Sequence, residues 1–160
     1  MSLVECIQDP LFVVSQLFDD HLRDNSKTPI DFDPSSHFKR LFNDHKSLTQ
    51  IPSLNHVPST SLKKNQLVRF RCMIQDTGLG QEMFIAAYNK NENGVCKTLC
   101  YRYTDDLVDM DHHHDNDIPT DYLSERSIVY CVSPPGETVW SKSYIAGNIY
   151  IYIYNNTLNK

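Results

Sequence analysis

Apolar residues recur at helical spacing early in the chain and at strand spacing later. Leu11, Val14, Leu17, Phe18 and Leu22 fall three to four apart, which makes one face of a helix. Pro10 suits its first position and Asp9 its cap. Asp33-Pro34-Ser35-Ser36 repeats that start signal, and Phe38, Leu41, Phe42 and His45 line a second helix ending near Leu48. From Pro52 the period changes. Residues 51–55 are expected to be extended, because a proline disfavours helix in the residue before it. Residues 67–75 alternate, with Val68, Phe70, Cys72 and Ile74 on one face and Leu67, Arg69, Arg71 and Met73 on the other. Further strands are expected at 82–88, 95–103, 127–132 and 137–145, separated by turns at 76–80, 89–94 and 134–136. The pattern predicts an α+β chain: a helical segment at 1–50, then a small antiparallel β barrel or sheet, OB-like, at 51–145.

Charge redraws part of this picture. The 160 residues carry a net charge of −5, and a pI near 5.7 argues against a general nucleic-acid binder. The charge is uneven, however. Residues 61–103 hold seven Lys and Arg against three acids, whereas 104–125 hold eight acids and no Lys or Arg. That acidic stretch has little apolar periodicity and reads as an exposed loop inserted in the β domain. No run reaches the ~20 apolar residues of a membrane span, so no membrane partner is expected. Five cysteines, with no C-x-x-C pair, suggest reduced thiols inside a cell.

Three groups of residues bear possible chemistry. Asp109, Asp111, His112, His113, His114, Asp115 and Asp117 are metal-ligating types, but three consecutive histidines on an exposed loop do not converge as ligands on a scaffold do. Cys72, Cys96, Cys100 and Cys131 are better explained as small apolar side chains than as a zinc set. No metal or cofactor is therefore expected. Arg69, Arg71, Tyr101, Arg102 and Tyr103 mix charge and aromatic surface on strands expected to be neighbours. Such a face could stack single-stranded nucleic acid, or could simply pack arginine stems on rings. The motifs of nucleotide binding, serine hydrolysis and zinc proteolysis are missing, so neither an enzyme nor a small-molecule substrate is expected.

Two ordered blocks carry a resemblance. Residues 51–58 (IPSLNHVP) with 67–76 (LVRFRCMIQD), then Glu125-Arg126, Tyr130-Cys131-Val132, Pro135-Gly136-Glu137 and Trp140, resemble the N-terminal region of the MCM-binding protein family. The likeness is close over 51–144 and loose over 5–50. It implies a non-enzymatic nuclear regulator of DNA replication that binds MCM helicase subunits. It further implies roles in unloading MCM complexes from chromatin and in sister-chromatid cohesion. Partner contacts are then expected at Pro52, Leu54, Asn55, Arg69, Arg71 and Trp140. Family members are several times longer than this chain. The resemblance stops after Tyr144, and 146–160 reads as a tail outside the family. Its alternating Ile-Tyr run is what a TATATA repeat encodes, so read-through into an AT-rich intron, and hence a truncated isoform or gene model, is the expectation. As a peptide, the run is either a sheet-edge strand or an aggregation-prone segment.

Overall fold

A computed structural model describes residues 2–24, 26–92, 94–104, 122–136 and 149–153. Within these residues four short α-helices come first: α1 (Leu3–Gln8), α2 (Pro10–Leu22), α3 (Ser35–Leu41) and α4 (His45–Thr49). Eight short strands follow among the described residues: β1 (Leu67–Arg71), β2 (Met73–Asp76), β3 (Gln81–Ile85), β4 (Ala87–Glu92), β5 (Val95–Cys100), β6 (Leu123–Ser127), β7 (Tyr130–Val132) and β8 (Ile149–Ile153).

The apolar pattern does not announce α1, yet its cap stands in the sequence. Ser2-Leu3-Val4-Glu5 is a capping box: Glu5 N–H donates to Ser2 Oγ at 3.2 Å and Ser2 N–H donates to Glu5 Oε2 at 2.6 Å. Asp9 closes α1, its N–H donating to Glu5 O at 2.9 Å, and α2 begins at Pro10 as expected. The single helix expected up to Leu48 is two helices. Asp44 is extended and its carboxylate accepts from Ser47 N–H at 2.8 Å, which starts α4 afresh.

The chain forms two compact units. The first comprises Met1–Pro10, Ser35–Gly80 and Ser127–Lys160. In it α1 packs on β1, and Cys6, Ile7, Phe42, Ile51, Leu67 and Val68 are buried. β1 pairs antiparallel with β8, from Leu67↔Ile153 to Arg71↔Ile149. β2 pairs antiparallel with β7, with an irregularity between Ile74 and Asp76.

The second unit comprises Leu11–Pro34 and Gln81–Arg126. Val13, Val14 and Phe18 of α2 are buried, as are Phe32, Ala86, Ala87 and Tyr88. Phe18 meets Phe32 edge-on at 5.1 Å between centroids. Here β3 pairs with β6, and β4 with β5. Ala86, between β3 and β4, joins the pairs: its N–H donates to Tyr122 O at 2.8 Å and its carbonyl accepts from Tyr101 N–H at 2.9 Å.

The α+β class stands, but the expected barrel does not. Among the described residues the strands form four separate two-stranded sheets. The reason lies at two breaks. The run expected at 67–75 is interrupted at Cys72 and that at 82–88 at Ala86, and the halves on either side take different partners. The stretch 104–125 is not loop to its end either, because β6 starts at Leu123. Residues 105–121, and the strand expected at 137–145, lie outside the described residues. Of the two readings of the Ile-Tyr run, the strand is the one found, alongside β1.

Candidate partner-docking ribbon

The structure brings five of the six expected contact residues together as a clamp on β1, each of them half-buried. Residues 51–55 run beside β1, with a parallel bridge between Ser53 and Arg69. Arg69 N–H donates to Pro52 O at 2.9 Å, and Leu54 N–H donates to Arg69 O at 3.0 Å. The Arg69 side chain turns to the same segment, its Nε–H donating to Ile51 O at 3.0 Å. Burial, and secondarily the charge of Arg71, lower the proton affinity of Arg69, although a guanidinium keeps its charge.

Asn55 continues this ladder with its side chain. Arg71 N–H donates to Asn55 Oδ1 at 2.8 Å, and Asn55 Nδ2 donates to Arg71 O at 2.8 Å. The carboxamide thus takes the place of a peptide group in a further strand residue. Asn55 Nδ2 also reaches Ser133 Oγ at 3.3 Å, tying the end of β1 to the chain leaving β7. One guanidinium nitrogen of Arg71 is shielded from solvent. The Arg69 side chain, the Asn55 carboxamide and the Arg71 backbone are engaged in holding β1. Trp140 lies outside the described residues.

Tyr101, Arg102 and Tyr103 do not join Arg69 and Arg71 on adjacent strands. β1 pairs with β8 while β5, which leads to Tyr101, pairs with β4. Tyr101 meets Tyr88 edge-on at 5.4 Å. Arg102 Nη2 donates to Ile30 O at 2.9 Å, and its guanidinium stands 5.7 Å from the centroid of Phe84. Arg126 lies 5.2 Å from the same ring and is paired with Glu82. Tyr103 is 36% exposed, yet burial of its phenol pushes it up to about 12 and keeps it protonated. Sequence reading missed the Phe84 cluster because its members are joined only by tertiary folding. Of the five residues, Arg102 thus packs against the ring of Phe84 and Tyr101 against that of Tyr88.

A group of exposed apolar side chains lies on the β2–β7 ribbon and its flanking turns. Met73 is opposite Val132, Ile74 opposite Cys131 and Asp76 opposite Tyr130. Beyond that end, Ile128 N–H donates to Gly80 O at 3.0 Å. Met73, Ile74, Leu79, Val129 and Tyr130 are 39–55% exposed. Every residue of β2 is exposed, so apolar side chains face solvent on both sides of the ribbon. A two-stranded ribbon in water is marginal without a packed face. Scattered exposed apolar residues are ordinary, but five on one ribbon and its flanking turns mark a surface suited to a partner. Sequence alternation alone would assign Ile74 to the core with Val68. Among the described residues, no three His, Cys, Asp or Glu side chains gather as a metal site would.

The clamp and the ribbon both fall within a match, over residues 38–155, to the family described as Mini-chromosome maintenance replisome factor. The chain belongs to this family. The match passes Tyr144 and takes in β8. Relatives named Mini-chromosome maintenance complex-binding protein include one from Danio rerio, 35% identical over 145 residues, covering 88% of this chain and 22% of the relative. One from Homo sapiens is 34% identical over 116 residues, covering 70% of this chain and 18% of the relative. One from Arabidopsis thaliana is 28% identical over 148 residues, covering 86% and 23%. The chain thus spans about a fifth of the length of the relatives it matches. No solved structure matches it.

Proposed function

We propose that this chain serves DNA replication as a non-enzymatic binding module for the MCM complex, with the β2–β7 ribbon as its docking surface. Membership of a family whose relatives are named for binding that complex supports the partner. The observation that carries the surface is the two-sided exposure of Met73, Ile74, Val129 and Tyr130. An MCM subunit laid on this ribbon would cover apolar area that the chain itself leaves in water. Arg69, Arg71, Pro52, Leu54 and Asn55 support the ribbon from behind the joint at Cys72. The finer roles are part of the proposal: action in the nucleus, association with chromatin, promotion of MCM unloading, and support of sister-chromatid cohesion.

The test is recovery of purified MCM subunits by the immobilised chain, beside a full-length relative. The proposal predicts that the chain retains at least one subunit, with modest dependence on salt because the contact is apolar. Recovery by the relative alone would overturn it. A single-stranded oligonucleotide serves as the contrasting ligand. Binding that falls steeply with salt and disappears with Arg69→Ala or Arg71→Ala would favour the nucleic-acid reading instead.

A further inference from the structure

The joint between β1 and β2 holds a feature that partner docking leaves unused. Cys72 sits in the joint, outside both strands, and Cys131 lies in β7. With Met73 opposite Val132 and Ile74 opposite Cys131, the register carried one residue back sets Cys72 diagonally across from Cys131. Cys131 lies close enough to Cys72 to make its thiol harder to ionise, second to burial. Both cysteines are free and partly exposed, so a small oxidant can approach them.

We propose that Cys72 and Cys131 are a redox-sensitive pair that forms a reversible intramolecular disulfide, stapling β2 to β7. Diagonal partners on a ribbon are about 7–8 Å apart at Cα, slightly beyond the 4.4–6.8 Å usual for a disulfide. The position of Cys72 matters for that reason. It belongs to neither ladder, so its backbone can close the difference without breaking a strand pair. The residues beside it stay fixed by Asn55, which binds Arg71 on one side and Ser133 on the other.

The oxidant is a low-molecular-weight disulfide such as oxidised glutathione. Burial, then Cys131 beside it, push the Cys72 thiol up, so Cys72 is slow to ionise and suits the resolving role. The Cys131 thiolate attacks one glutathione sulfur. A protein–glutathione bond forms, the glutathione disulfide bond breaks, and one glutathione thiolate leaves and takes up a proton. The Cys72 thiolate then attacks the Cys131 sulfur and expels the second glutathione thiolate, which also takes up a proton. Two protein thiols are oxidised and one glutathione disulfide is reduced to two thiols. In a reducing cytosol or nucleus the pair stays open, and it closes when the glutathione pool turns oxidising.

The test equilibrates the full chain with oxidised glutathione, blocks the remaining thiols by alkylation and digests with trypsin. The proposal predicts a peptide spanning residues 72–90 linked to one spanning 127–142, each of which holds a single cysteine. It also predicts an intact mass lower by about 2 Da and reversal by dithiothreitol. Cys96→Ser should leave the link in place, and Cys72→Ser should remove it. A separate reading needs no variant: in the wild-type chain, oxidation should protect Cys72 and Cys131 from alkylation together. Independent glutathionylation of the two, alkylation of both after oxidation, or links only through the exposed Cys96 would overturn the proposal. Loss of MCM binding would not bear on it, since the bond forms within the chain.

Discussion

One alternating run has two fates. Residues 67–71 and 73–76 share a pattern of apolar and polar positions, yet β1 is built into the first unit and β2 is left in water. β1 has β8 on one edge, residues 51–55 on the other and α1 against it, with Val68 at 0% exposure. Among the described residues β2 has only β7 beside it, and each of its residues is exposed. Alternation therefore specifies that a segment is extended, and the number of its neighbours specifies how deeply it is buried. The difference makes β1 scaffold and leaves β2 as the strand to which the proposed function gives the partner contact.

The largest effect that sharpens this contrast is Val68→Asp. An unpaired carboxylate in a fully buried site should cost on the order of 4 kcal/mol or more, enough to abolish cooperative thermal unfolding by circular dichroism. Asn55→Ala comes next. It strips partners from both the N–H and the carbonyl of Arg71, so a loss of about 1–3 kcal/mol is expected in denaturant titration. Asn55→Asp should not restore that loss, since a carboxylate has no proton to donate to Arg71 O. Arg69→Ala should cost about 1–2 kcal/mol by leaving Ile51 O without its side-chain donor. Equal losses for Ile74→Ser on β2 would break the contrast. That substitution is expected to stay within about 0.5 kcal/mol of the parent, because the side chain is already 45% exposed.

The smallest expected effect is on pH dependence. Burial, with the charge of Arg40 second, holds His37 below its usual 6.5, and its Nε2 is buried without a hydrogen-bond partner. The unfolded chain then binds this proton more readily than the folded one. The stabilising contribution is whole above the unfolded value near 6.5 and falls as pH drops through it toward the lowered folded value. A melting temperature that declines slightly between about pH 7.5 and 5.5 is expected, with a shallower decline in His37→Gln. Equal slopes in the two proteins would place the pH sensitivity elsewhere.

How much of this was legible follows from where the determining partners lie. α2, β1 and β5 follow from local periodicity, because each shows its pattern within its own length. The Ser2–Glu5 capping box was equally local, but the apolar pattern draws no attention to it. The break at Cys72 is not local. Cys72 keeps its place in the alternation, and only the exchange of β8 for β7 as partner ends one strand and begins the next. Asn55 is 16 residues from the backbone it completes, so its role as a stand-in peptide group leaves no mark on its neighbours. The same holds for Phe84, whose two arginines come from distant positions. The residues at 52–55 and 69–71, expected from the resemblance as partner contacts, hold β1 in place, and the proposed contact surface begins two residues later.

The most direct test of the central claim is a binding titration of purified MCM subunits against the chain and its Ile74→Ser/Tyr130→Ser variant, with thermal unfolding followed in parallel. Removing the two apolar anchors should weaken binding by about tenfold or more while the melting temperature stays unchanged within error. Undiminished binding by the variant, or binding lost only in step with stability, would contradict the assignment of β2–β7 as the docking ribbon.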